Sequence, residues 1–198
     1  MARHSSSMNL AAATLPLALA ACATSPPAKF YTLNAQTPQE NVHLATPVSI
    51  AIDKVSVPEM VDRPQFVLRT SAAQVRIDEY TRWAEPLKEQ IAHVLAADLA
   101  QSLPGALVST TEQWDQQDQS YRVSIEVQRF ESVPGDAATI AALWTVRSAK
   151  TGKADSGRTF AQEPLSSQSY DELVDAHSRA LADVSADIAR AIHATLPP

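Results

Sequence analysis

Cysteine is almost missing from this chain. Cys22 is the one thiol in 198 residues, so no intrachain disulfide can staple the fold. Glycine is nearly as scarce, with four residues. None of them forms a phosphate-cradling P-loop or a GxGxxG turn. No GxSxG elbow and no HExxH helix occur, and the histidines at 4, 43, 93, 177 and 193 share no metal-ligand spacing. Basic residues are outnumbered, 16 Lys and Arg against 22 Asp and Glu. Without a basic run, such a chain makes a poor nucleic-acid binder. Its negative charge also opposes flat adhesion to anionic lipid. Beyond the N-terminus no apolar run approaches the roughly 20 residues that cross a bilayer. With no catalytic constellation in view, the expectation is a protein that is not an enzyme, with no metal and no dissociable cofactor.

What is present begins at the N-terminus. Arg3 is the one firm charge before Cys22, and residues 8–21 are mostly Ala and Leu. A weakly basic start, a short apolar run and small residues before a cut make a secretory signal. Leu19, Ala20, Ala21 and Cys22 resemble the bacterial lipobox. Small residues admit the signal peptidase, and the thiol accepts a diacylglycerol. The new amino group can then take a further acyl chain. Residues 1–21 are therefore expected to be a removable lipoprotein signal peptide. The only prosthetic groups expected are the covalent diacylglycerol and N-acyl chain on Cys22. Two or more acyl chains give stable anchoring. Ala23, not Asp, follows the cysteine, which favours sorting to the outer membrane, with the protein on its periplasmic face.

Residues 22–29 read as the lipidated cysteine and a tether, stiffened by Pro26 and Pro27. Residues 30–198 read as one periplasmic domain, large enough for a real core. Residues 30–33 suggest a first strand. Val48, Ile50 and Ile52 alternate with polar or small neighbours, and the phase shifts near Asp53 and Lys54, as at a bulge. Residues 62–64 look like a turn, followed by strands at 66–69 and 75–77. Pro86 suits the first position of a helix. Its apolar stripe runs Leu87, Ile91, Val94, Leu95 and Leu99, with Asp98 as the polar exception, and it stops by Leu103. A brief strand follows at 106–108. Tyr121, Val123, Ile125 and Val127 open a meander with a turn at 134–136, a return strand at 140–146, a second turn at 150–157 and a third strand at 158–162. A second helix carries Leu173, Val174, His177, Leu181, Val184, Ile188 and Ile192 on one face. The fold class expected is α+β: a mixed, largely antiparallel sheet with two long amphipathic helices packed on one face. His93 and Asp98 invite an acid–base reading, but helix solvation and packing explain them equally. His177 reads as a core histidine.

Two blocks remain, VPEMVDRPQFVLR at residues 57–69 and RWAEPL at residues 82–87. With the lipobox and the early Tyr31, Thr32 and Leu33, they resemble the PqiC-like (YmbA-like) ABC-type transport auxiliary lipoprotein family. The second half carries no motif that matches residue by residue. The resemblance implies an outer-membrane auxiliary subunit of a transport system containing an MCE-domain protein, moving lipid or other hydrophobic molecules between membranes. A homo-oligomer is compatible with it. Within the blocks, Arg63, Gln65, Arg69, Arg82 and Trp83 are the candidate partner-binding residues, because Arg and Trp are common interface anchors. The competing readings are a lipid-binding lipoprotein and an envelope-integrity lipoprotein, each working independently of a transporter.

Overall fold

The computed structural model describes residues 26–37, 48–110 and 120–195. The signal peptide, the lipobox with Cys22, the start of the tether and the loops expected around 38–47 and 111–119 lie outside the described residues. Among them, eight strands form one sheet: β1 (Lys29–Tyr31), β2 (Ser49–Ser56), β3 (Gln65–Arg69), β4 (Val75–Trp83), β5 (Leu107–Ser109), β6 (Ser120–Val133), β7 (Ala137–Ser148) and β8 (Ala154–Pro164). The helices are α1 (Leu87–Ser102) and α2 (Tyr170–Thr195).

Strand β6 is the spine. On one side it pairs along its whole length with β7, and β7 with β8, both antiparallel. On the other side its first half takes β2 in parallel, with β5 beyond it, and its end meets β3, with β4 and β1 beyond. The sheet is mixed and mostly antiparallel, as the alternation implied. The phase shift near Asp53 is a real irregularity: the β2–β6 register slips between Ile52 and Lys54.

Helix α2 packs on β7 and β8, α1 packs on β2 and β5, and the helices pack on each other. Every apolar residue of the two expected stripes is buried, from Leu87 to Leu99 and from Leu173 to Ile192. These stripes and the inward strand residues make one apolar cluster. Acidic Asp171 and Glu172 begin α2, and His193 ends it, in keeping with the helix dipole. The Ser169 hydroxyl accepts the Glu172 amide at 3.2 Å, capping a free amide of the first turn.

Several boundaries differ from the sequence expectation, three of them for a visible physical reason. Pro86 sits just outside α1 rather than at its first position. Its ψ of 131° is extended, and its carbonyl accepts the amides of Glu89 and Gln90. Strand β4 runs on to Trp83, beyond the expected end at 77. Strand β8 starts at Ala154, inside the expected turn. Gly157 is a strand residue there because the Trp144 ring lies against it, and a Cβ at 157 would overlap that ring. Gly135 does serve a turn, at φ +74° between β6 and β7.

The segment after β1 crosses both helices. The Leu33 amide donates to Gln90 Oε1 at 2.8 Å, Asn34 to Ser178 Oγ at 3.1 Å, and Gln36 to Asp98 Oδ1 at 2.9 Å. Polar side chains on core-facing helix positions thus satisfy a strap's backbone.

Candidate partner-docking face

The two sequence blocks meet in space. Strands β3 and β4 form a hairpin, with Val67 opposite Ile77 and Arg69 opposite Val75. Near its base the register shifts, so that Phe66 faces Asp78 while Gln65 faces Arg82. The extra residues of β4 are held by Asp78, whose Oδ1 accepts the amides of Tyr80 and Thr81, both at 3.0 Å. Its other oxygen accepts the Tyr170 hydroxyl. Burial alone would raise the Asp78 pKa, but these hydrogen bonds and Arg76 bring it below the usual carboxylate value. The Trp83 amide closes the base on the Pro64 carbonyl at 2.7 Å.

Inward and outward rows alternate here. Inward, Phe66 stacks on Trp83 with centroids 4.1 Å apart, and Tyr31 meets Phe66 edge-on at 5.6 Å. Outward, Phe30, Arg82 and Gln65 form one row across β1, β4 and β3. Gln65 Nε2 donates to Glu79 Oε2 at 3.4 Å, and Arg82 Nε donates to the Glu79 carbonyl at 3.1 Å.

Of the five sequence candidates, the structure brings Gln65 and Arg82 side by side on this outward row. Trp83 is corrected: it is 5 % exposed and belongs to the core, stacked on Phe66. Arg69 is taken up internally, with its guanidinium 2.7 Å from Glu131 of β6. Arg63 is half-buried, and its Nε is buried without a hydrogen-bond partner among the described residues. Arg82 is likewise half-buried. Exposed Phe30 and Tyr80 border the same corner, and sequence reasoning missed both. The available signal for Phe30 was an aromatic residue directly after the tether.

Among the described residues, the remaining titratable groups do not assemble a reaction centre. His93 is exposed, 3.7 Å from Glu85, whereas Asp98 is buried under the strap, so the two do not form an acid–base pair. Burial raises Asp98 to about 6 against the lowering effect of the Gln36 amide and the Ser185 hydroxyl. His177 is fully buried, stacked on Phe130 at 3.9 Å, with Nε2 2.8 Å from Ser132 Oγ. Its Nδ1 has no partner among the described residues. Burial lowers its pKa to about 3, so it is neutral near pH 7. No group of His, Cys, Asp and Glu able to hold a metal occurs among the described residues. An open groove of about 760 Å³ runs beside α2, lined in part by Asp98, Glu163, Arg179, Asp183, Asp187 and Arg190.

Residues 31–189 match the model of the family described as ABC-type transport auxiliary lipoprotein component. The chain belongs to that family. The match takes in both sequence blocks, α1 and most of α2, and so reaches well into the second half, where no motif was legible. No curated protein matches the chain significantly. Among solved structures, an uncharacterized protein is similar with 24 % identity and a TM-score of 0.71, over 84 % of this chain and 99 % of its own. A protein from Xanthomonas campestris is similar with 18 % identity and a TM-score of 0.63, over 81 % of this chain and 92 % of its own. These two share the fold. The family is an auxiliary lipoprotein component of transport systems. No described helix is long and apolar enough to cross a membrane.

Proposed function

We propose that the mature chain is an outer-membrane lipoprotein, held by acyl chains on Cys22 at the periplasmic face. In this reading it is a non-catalytic auxiliary subunit of an ABC-type system whose MCE-domain protein moves lipid between the membranes. The observation that carries the reading is the family match over residues 31–189. The convergence of both blocks on one corner supports a docking role there, with Arg63, Gln65 and Arg82 toward the partner. Residues 30–198 then act as one domain hung on a short tether.

The groove beside α2 speaks against an independent lipid carrier. It is open and lined in part by charged side chains, whereas an acyl chain calls for an apolar enclosure. The test is crosslinking of the tagged, lipidated chain in cells, followed by membrane fractionation and partner identification. The expected result is recovery from the outer membrane with an MCE-domain protein. Recovery with bound lipid and no such partner would favour the carrier instead.

A further inference from the structure

The tether delivers the chain to the sheet at its β1 edge. From Ala23 to Lys29 there are seven residues, which span roughly 20–25 Å when extended. A compact chain of this size has a radius of gyration of about 15 Å, hence a breadth of roughly 40 Å. The tether is shorter than that breadth, so the β1 end is the end that stays near the lipid surface.

That end carries apolar surface that the described residues leave uncovered. Phe30 is 63 % exposed, and Tyr80, two residues before Arg82 on the adjacent strand, is 44 % exposed. Exposed Lys29 precedes Phe30, and Arg82 lies beside it in register. Aromatic rings flanked by long basic side chains are the chemistry of the bilayer interface. The rings settle at headgroup level and the cations reach phosphates.

We propose that Phe30 and Tyr80 dip into the lipid surface next to the anchor and fix the orientation of the domain on the membrane, with the long side chain of Lys29 at the sheet edge reaching lipid phosphates. The proposal rests on the reading of Cys22 as the lipid-bearing residue. The anchor supplies the affinity. At the high effective concentration that it creates, two aromatic residues suffice to select one face. The row continues away from the tether to Gln65, which leaves the β3 side open to a protein partner.

The test uses the full lipidated chain in vesicles of phosphatidylethanolamine and phosphatidylglycerol. Lipidation consumes the one native thiol, so a single introduced cysteine takes an environment-sensitive fluorophore cleanly. The variants are Phe30→Cys and Tyr80→Cys, with two exposed controls: Phe160→Cys on β8, across β6 and β7 from β1, and Leu107→Cys on β5, beyond β2 at the other end of β6. Expected are a blue-shifted emission and at least about twofold quenching by nitroxide-bearing lipids at 30 and 80, and neither at 160 or 107. Quenching at 30 and 80 no greater than at the controls, with the protein floating with the vesicles, overturns the proposal. If the protein does not float and its N-terminal peptide has no acyl mass, the anchor reading has failed and the proposal falls with it.

Discussion

The rings of Phe66 and Trp83 stack 4.1 Å apart at an interplanar angle of 23°, joining the two sequence blocks inside the core. The next residue along, Arg82, turns the other way and faces Gln65 on the outside. One step of the β period thus separates a core residue from a surface one.

That alternation gives a sharp contrast between neighbours. Trp83→Ala should cost about 3–5 kcal/mol, the range for truncating a large buried aromatic. Arg82→Ala, at a half-buried outward position with one hydrogen bond to a backbone carbonyl, should cost no more than about 1 kcal/mol. Urea unfolding of the two variants checks this. Equal losses would mean that Arg82 is part of the packing.

Acid should act on the fold through two opposed groups. Asp98 is raised to about 6 by burial, so the native state takes up its proton first, and stability gained from Asp98 rises as pH falls from about 6 to 4. His177 is lowered to about 3, so the unfolded state protonates first, and stability is lost as pH falls below about 6.5. The expected net change between pH 6 and 4 is therefore smaller than either part. Asp98→Asn should raise the melting temperature at pH 7.5 and steepen the loss below pH 6.5. His177→Leu should flatten that loss. Melting curves across pH 4–8 decide it, and parallel profiles for wild type and Asp98→Asn would exclude Asp98 from the balance.

Gly157 should tolerate no side chain. Gly157→Ala pushes a Cβ into the Trp144 ring, and the indole must then abandon its 3.1 Å hydrogen bond to Thr159. A loss of about 1–3 kcal/mol is expected from this overpacking. Thermal unfolding together with Trp144 fluorescence tests it. An unchanged melting temperature would place the ring elsewhere.

The elements with a clean period were the legible ones. The stripes of α1 and α2, the alternation of Tyr121 to Val127, and the slip at Asp53 all reappear in the structure, because each is a local pattern of burial. What was missed depends on contacts distant in sequence. Strand β4 hid its second half because Asp78 gathers the amides of Tyr80 and Thr81 into an irregular register, which breaks the alternation. Gly157 resembled a turn residue until Trp144 lay over it. Trp83 resembled an interface anchor because nothing local reveals the ring of Phe66. The strap was invisible because backbone amides have no sequence signature. Gln90, Asp98, Ser178 and Ser185 at buried helix positions were its one trace. The parallel pairing of β2 with β6 and β5 likewise leaves no mark on any single strand.

Under the proposed anchoring, Cys22→Ser should abolish lipid attachment and leave the chain unprocessed or soluble, since Cys22 is the one thiol in the sequence. Palmitate labelling in cells checks this. Equal incorporation into variant and wild type would remove the anchor from the account.

The corner built from residues 57–69 and 82–87 is the proposed meeting place with a transport partner. The direct measurement is recovery of the MCE-domain protein by Arg63→Ala and Arg82→Ala variants in detergent, where lipid contacts are absent, with thermal unfolding of each variant alongside. At least one variant should lose about fivefold or more of the partner while its melting temperature shifts by no more than about 2 °C. Wild-type recovery by both variants, or losses that only track a fall in melting temperature, would contradict it.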